Sequence, residues 1–300
     1  MSMNKIVSFL HEKFLSEKTR EKTEKIILQI AIVSFFIHLA IIYFIKLDII
    51  DFASNSELLK NPISAVYTPF SFILIYEVYL LIYYLPKSFT TYITKQYEII
   101  TLIIIRKLFK DLSALELTAN WFEIKGDLQF TYDLVASLLL FYFIYLFQKQ
   151  GKLKFNQDKS NKTIIEKFVK KKKLIAIILV PLFFIMALYT LINWFTEISI
   201  TSKNLPTLES INNLFFDQFF TILILVDVVL LLISFFYTDE FHKIIRNSGF
   251  IISTILIRMS FGVSGLISTV LIVVAVLFGL AIIVIHNKYE KDTLPENEYY

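Results

Sequence analysis

The feature that most constrains the fold is a series of long apolar segments with very few charges. Ile26–Ile45 is the first, with twenty consecutive residues that include no Asp, Glu, Lys or Arg. As an α-helix it would be roughly 30 Å long, which matches the hydrocarbon core of a bilayer. Over the whole chain, 56% of the residues are hydrophobic and the mean hydropathy is +0.64. A soluble domain cannot bury so much apolar surface, so the sequence predicts an all-α polytopic membrane protein.

Eight transmembrane spans are predicted, with polar or basic segments between them. The third is the least apolar, and its charged residues would exclude it on hydropathy alone. The last two meet at Gly262–Gly265, and residues 249–285 as one helix would be roughly 55 Å long, too long for a bilayer. Two glycines favour a tight turn, so a hairpin is expected there. The spans are Ile26–Ile45, Ile63–Leu85, Tyr97–Leu117, Phe130–Phe147, Leu174–Phe195, Leu214–Tyr237, Gly249–Phe261 and Leu266–Ile285.

The distribution of basic residues predicts how these spans are oriented. With both termini in the cytoplasm, the inner segments hold 22 of the 30 Lys and Arg residues and the outer loops hold four. Cytoplasmic loops carry an excess of Lys and Arg, so this orientation is favoured. It also requires the third span, because the lysine-rich loop would otherwise lie outside. We expect a multi-pass protein of the plasma (inner) membrane. The inner segments are 1–25, 86–96, 149–173, 238–248 and 287–300.

The N-terminal leader, residues 1–25, precedes the first span and is basic. Ile6, Leu10 and Phe14 share one helical face, so the leader either lies on the membrane surface or is a solvated charged helix. It is too long and too charged for a signal peptide. His38, inside the first span, is expected to bond to a neighbouring helix rather than to a metal.

The spans divide into two four-helix units, residues 26–148 and 174–286. Each unit has an even number of spans, so the predicted repeats have the same orientation. The leader 1–25 precedes the first unit, the cytoplasmic lysine-rich loop 149–173 joins the two, and a cytoplasmic tail, 287–300, follows the second. We therefore predict a chain that contains one four-span unit twice.

An acid and an arginine recur at matching places in the two units. Glu77 lies in the second span and Arg106 in the third, while Asp227 and Arg258 occupy the sixth and seventh. At 1.5 Å per residue, all four lie roughly 12–15 Å from the predicted cytoplasmic interface. An unpaired charge at that depth costs about 2.5–3.5 kcal/mol, so pairing within each unit is expected. The pairs either brace the helices or line a path, and further candidates for such a path are Glu98, Lys107 and Lys110.

The first unit contains a Tyr76-Glu77 helix, a basic turn, a helix ending IIIRKLFKD at Asp111, and a span that opens at Asp133. This order of elements resembles the phosphate-starvation-inducible PsiE-like membrane proteins. The family is a small four-span unit, and the resemblance implies a tandem fusion of two. The second unit departs from it, since Gly262–Gly265 replaces a loop and Asp111 has no counterpart. The resemblance implies an architecture and carries no mechanism.

Enzymatic activity finds little support in the sequence. The absence of cysteine excludes disulfides, thiolate metal sites and cysteine catalysis. Gly262–Gly265 matches the serine motif of rhomboid-type proteases, but the motif lacks a histidine positioned as its base. The arginines are too few and too unevenly spaced for a voltage sensor. Walker, Rossmann and metal-binding spacings are absent as well. We therefore expect no enzymatic activity, cofactor or metal site.

The lysine-rich loop 149–173 is the most basic part of the chain, with ten lysines and two acids. Its second half can form an amphipathic helix that enters the fifth span. Attraction to anionic lipid, about 1 kcal/mol per basic residue near the surface, is one role for these lysines. The other is a site for an anionic nucleotide or oligonucleotide, for which aromatic stacking partners are few. The candidate residues are Lys149, Lys152, Lys154, Lys170, Lys171, Lys172 and Lys173.

Three functions are compatible with these features. The first is an oligomeric, channel-like protein that forms a pore and is gated by an anionic cytoplasmic ligand at the basic loops. The second is a non-conducting membrane scaffold or sensor, in which the ion pairs only brace the helices. The third is a transporter of ions or small solutes, although transporters usually contain broken helices. Mid-membrane charges in a chain with so little soluble mass favour the channel.

Overall fold

The structure, a computed structural model, describes residues 3–49, 62–113, 125–153, 162–200, 208–263 and 265–292. All regular elements among these residues are helices, which confirms the predicted all-α class. A 3-10 helix, Pro62–Val66, leads into the third α-helix. The α-helices are α1 Met3–Leu15, α2 Glu17–Lys46, α3 Tyr67–Tyr84, α4 Phe89–Ser113, α5 Lys125–Gly151, α6 Lys162–Ile200, α7 Leu208–Phe235, α8 Phe241–Ser260 and α9 Leu266–Asp292.

Among the described residues, six helical stretches are long and apolar enough to cross a membrane. They overlap the first, second, fourth, sixth, seventh and eighth predicted spans. The third and fifth spans, on α4 and α6, stay predictions, as do the sequence repeat and the cytoplasmic location of the termini. The six stretches are Val7–Lys46, Pro62–Tyr84, Leu128–Gly151, Gln218–Phe235, Phe241–Phe261 and Leu266–Asp292.

Several helices extend beyond the predicted spans. The segment 86–96 was predicted to be a connection, but α4 begins at Phe89 and includes most of it. The reason is local: the hydroxyl of Ser88 accepts a 3.2 Å hydrogen bond from the backbone N–H of Thr91, as an N-terminal cap does. The long helix α6 likewise continues from the lysine-rich segment into the fifth predicted span without interruption, as the amphipathic-helix prediction expects.

The hairpin predicted at the end of the chain is confirmed, because α8 and α9 are separate helices that pack against each other. The last turn of α8 closes with hydrogen bonds from the N–H of Phe261 and Gly262 to carbonyls of the preceding turn. Gly265 has a φ of 77°, a left-handed conformation that glycine adopts without strain. At Gly249 a Cβ would lie 2.8 Å from Ile282, so a side chain there would force the two helices apart.

Cα proximity divides the chain into two compact units. The first unit contains Met1–Tyr83, Leu102–Thr131 and Leu174–Phe220, and the second contains Tyr84–Thr101, Tyr132–Lys173 and Thr221–Tyr300. The unit boundaries fall within α3, α4, α5, α6 and α7, so each unit contains parts of helices. The predicted sequence repeat is a different division of the chain and stays a prediction.

In the first unit, the N-terminal helices are attached to α3 by two tyrosines. Tyr79 donates a 2.9 Å hydrogen bond to the carbonyl of Phe14, and Tyr76 donates one of 2.8 Å to a carboxylate oxygen of Glu24. The leader is therefore bonded to its own unit. Further along α2, His38 shares a hydrogen bond of 2.5 Å with Thr68. The expected role of His38, a bond to a neighbouring helix, is confirmed.

Candidate functional site: buried polar groups

Glu77 and Arg106 lie together in the first unit, on α3 and α4. Their side chains are 4% and 9% exposed, and their charges interact. Each ionised group pays a desolvation penalty in apolar surroundings, and the attraction between the opposite charges offsets part of it. The structure thus brings together the acid and the arginine that the sequence pairs in the first half of the chain.

Asp227 is the most deeply buried acid of the second unit, at 1% exposure in the middle of α7. One carboxylate oxygen accepts a 3.0 Å hydrogen bond from the side-chain amide of Gln96 on α4. Tyr92, one turn earlier on the same helix, is fully buried and interacts electrostatically with Asp227. The acid is therefore held by a neutral amide and a neutral phenol of one neighbouring helix face.

Lys172 supplies positive charge to the same group of residues. Its side chain is 1% exposed and interacts electrostatically with Asp227. The ammonium donates a 2.6 Å hydrogen bond to the carbonyl of Lys87 and lies 4.7 Å from the ring centre of Phe89 and 5.5 Å from that of Phe168. The carbonyl and the two aromatic rings all stabilise a cation. Burial nevertheless lowers the pKa of Lys172 to about 8, against the opposing effect of Asp227.

The sequence pairs Asp227 with Arg258, whereas the described contacts of the acid are with Gln96, Tyr92 and Lys172. Arg258 lies near the end of α8 and is half-buried. The pairing with Arg258 stays a prediction. Gln96 and Tyr92 lie in the segment 86–96, which the sequence predicts to be a connection, so a contact between them and a membrane-spanning acid is not expected from the sequence.

Two further polar contacts cross the second unit. Thr269 on α9 donates a 2.5 Å hydrogen bond to Asp133 on α5, and both side chains are buried. The hydroxyls of Tyr97 and Ser253 share a bond of 2.7 Å, and Ser253 donates to the carbonyl of Ala275 at 2.6 Å. These bonds connect α4 and α5 to the α8–α9 hairpin. Hydroxyl groups in apolar helices are the sequence signal for such contacts, since a buried hydroxyl needs a partner.

The other residues proposed for a path have different surroundings. Glu98 is bonded on both oxygens, to Lys95 at 2.6 Å and to Gln148 at 2.7 Å. Lys107 is exposed, and the side chain of Lys110 lies outside the described residues. Glu98 is therefore tied to a half-exposed network on α4 and α5.

The predicted anion-binding lysines are mostly at the surface. Lys172 is the exception, because its ammonium points into the second unit instead of toward solvent. Lys173 is half-buried, and Lys154 lies outside the described residues. The exposed lysines on α5 and α6 are Lys149, Lys152, Lys170 and Lys171.

Comparison of the chain with protein-family models, curated proteins and solved structures gives no match. The resemblance to PsiE-like proteins therefore stays a prediction. What the site can do follows from its own chemistry: an acid deep in an apolar helix, a neutral donor beside it, and a buried cation near the start of another helix.

Proposed function

We propose that the protein is an integral membrane channel that conducts cations, with Asp227 as the acid on the conduction path. The observation that carries this proposal is the burial of Asp227 in Gln218–Phe235, one of the stretches apolar enough to cross a membrane. Ionisable groups inside such segments are rare because of their cost, and they mark ion paths by default. Gln96 donates to Asp227 through a neutral amide, which does not cancel the charge of the acid.

Lys172 has a defined part in this proposal. Its positive charge interacts with Asp227 and therefore opposes the binding of a permeating cation at this acid. A change that moves the ammonium away from its contacts with the carbonyl of Lys87 and the ring of Phe89 would increase the attraction of Asp227 for cations. Because Lys172 lies on α6, motion of the lysine-rich part of that helix is the natural way to produce such a change.

The exposed lysines fit a regulatory role in the same proposal. Lys149 and Lys152 at the end of α5, and Lys170 and Lys171 on α6, are exposed, and in the predicted cytoplasmic layer they would form a basic surface. In a homo-oligomer, copies of this surface would form a basic ring. An anionic ligand, either a lipid headgroup or a nucleotide, would bind there by charge and shift the position of α6.

Ion flux into liposomes tests the proposal directly. Purified full-length protein is reconstituted with neutral or anionic lipid, and cation uptake is followed under an applied potential, with and without added nucleotide. We expect uptake that Asp227→Asn reduces at least about tenfold, as expected for loss of a mid-membrane charge on the path. The matched control is Asp133→Asn, which changes another buried acid of the second unit. Equal uptake by Asp227→Asn and the unaltered protein, or no uptake in any condition, would contradict it.

A non-conducting scaffold or sensor is the second candidate, and the contacts of the α8–α9 hairpin favour it. The Asp133–Thr269 and Tyr97–Ser253 bonds satisfy their buried polar groups mutually. Such contacts fix helix positions and leave little polar surface for an ion. If Asp227→Asn lowers thermal stability as much as Asp133→Asn and neither protein conducts, the scaffold is the better assignment.

A further inference from the structure

The open end of the α8–α9 hairpin carries a cluster of metal-ligand side chains. His242 lies in the first turn of α8, and His286 and Glu290 lie one turn apart on α9. Residues four apart project from one face of a helix, so His286 and Glu290 both face the beginning of α8. The two imidazole rings are stacked, with centroids 5.2 Å apart. One ligand atom from each of the three residues lies within 4.8 Å of the others.

The separations in the cluster suit a small divalent ion. A carboxylate oxygen of Glu290 lies 3.4 Å from Nε2 of His286 and 3.7 Å from Nε2 of His242. Ligands bound tetrahedrally to zinc at about 2.0–2.1 Å are about 3.4 Å from one another. The two separations from Glu290 are therefore close to those that a bound ion requires, and the two histidine ligand atoms lie within 4.8 Å of each other.

We propose that His242, His286 and Glu290 form a binding site for a divalent transition-metal ion of the zinc class. Glu240, the residue before α8, lies beside this set, with its Oε2 atom 3.3 Å from Nε2 of His242. Its other oxygen is held by Lys243 at 2.7 Å. The two imidazoles and the carboxylate of Glu290 supply three ligands and leave the fourth position of a tetrahedral ion open.

Arg246 competes with the ion for one of these ligands. Its Nη1 atom donates a 2.9 Å hydrogen bond to Nε2 of His286, and the same guanidinium donates to Asn247 at 3.1 and 3.2 Å. Binding of the ion to this nitrogen replaces the bond from Arg246, while the bonds to Asn247 can remain. The arginine thus weakens the site without removing a ligand.

An ion can reach the cluster from solvent because some of its side chains are partly exposed. The side chain of Glu240 is 45% exposed, those of Glu290 and His242 are 20% and 17% exposed, and that of His286 is 6% exposed. An ion would meet the exposed carboxylate first and the buried imidazole last. Once bound, it would join the beginning of α8 to the end of α9 and close the hairpin at the end opposite its turn. This inference does not depend on ion conduction.

The experiment measures metal binding to the full-length protein, with any histidine tag removed, in detergent or nanodiscs. Zn²⁺ affinity is measured by competition with a chromophoric chelator, and Co²⁺ is added separately to observe the visible bands of a tetrahedral site. We expect one Zn²⁺ per chain. His242→Gln and Glu290→Gln should each weaken binding by at least about 10–100-fold, since even loss of a residue that only supports a ligand costs that much.

Two variants make the result specific. His38→Gln changes a histidine that is bonded to Thr68 in the first unit, and it should leave Zn²⁺ affinity unchanged. Arg246→Gln removes the competing donor and should tighten binding. Absence of stoichiometric Zn²⁺, or equal affinity in His242→Gln and His38→Gln, overturns the site. His242 and Glu290 are partly exposed, so we expect both Gln variants to fold. A thermal unfolding curve close to that of the unaltered chain checks this.

Discussion

Gln96 on α4 and Asp227 on α7 are joined by a 3.0 Å hydrogen bond in which a neutral amide supports a buried carboxylate. We expect Gln96→Leu to destabilise the protein by about 1–3 kcal/mol, because the acid loses a donor that water cannot replace. Asp227→Leu combined with Gln96→Leu should cost less than the sum of the single changes. Thermal midpoints in one detergent give this double-mutant cycle, and strictly additive midpoints would show that the bond contributes nothing.

Gly279 on α9 leaves room for the phenol of Tyr97. A Cβ at this glycine would lie 1.8 Å from the Tyr97 hydroxyl and 3.3 Å from that of Ser253. We expect Gly279→Ala to destabilise the fold by about 1–3 kcal/mol or more through overpacking, as measured by thermal unfolding. Gly262→Ala is the matched control, because a Cβ there would lie an ordinary 3.5 Å from the carbonyl oxygen of Met259. Tyr97→Phe should rescue Gly279→Ala in part; a midpoint unchanged by Gly279→Ala would contradict the packing.

Glu77 and Arg106 form a charge pair that is expected to act as a unit. Removal of one member of a buried pair costs about 3–5 kcal/mol, whereas neutral replacement of both costs much less. We therefore expect Glu77→Gln to lower the thermal midpoint more than the double change Glu77→Gln with Arg106→Gln. Lys107→Gln, at the exposed neighbouring position, should have almost no effect. A double variant less stable than both single variants would argue against the pairing.

The lowered pKa of Lys172 should make the stability of the protein depend on pH. Its pKa is lowered to about 8 in the folded protein, and that of an unfolded lysine is higher, about 10.4. Between these values the unfolded chain binds the extra proton, so this lysine makes stability rise with pH. The free energy of unfolding of the unaltered protein, relative to that of Lys172→Met, should rise by about 2–3 kcal/mol from about pH 7 to about pH 10. Lys171→Met, at an exposed position, should show no such trend.

The sequence predicts the helical class and the hairpin because both have local causes. A twenty-residue apolar run is long enough for a membrane whatever its neighbours are, and the glycines of Gly262–Gly265 act within one turn. Helix ends were less predictable. The residues 89–96 and 241–248 are polar enough to leave the hydrocarbon core, yet their helical hydrogen bonds continue, since a helix can extend into water.

In the candidate sites, too, the sequence predicts the depth of a residue along its helix but not which helices are neighbours. The acid–arginine pair on adjacent spans follows from equal depth on antiparallel helices, so Glu77 and Arg106 could be paired from the sequence. Asp227 meets Gln96 because α4 packs beside α7, and no spacing in the sequence reports which helices are neighbours. His242 lies in the predicted inner segment 238–248, and His286 follows the last predicted span directly, but their stacking depends on how each helix is rotated about its axis.

The close approach of Tyr97 to Gly279 ties together two positions that are far apart in the sequence. A larger residue at 279 is compatible with the fold only after the aromatic ring at 97 has become smaller. Evolution can therefore alter the two positions only in a fixed order. Relatives of this protein should pair glycine at 279 with an aromatic residue at 97, or a larger residue at 279 with a smaller one at 97.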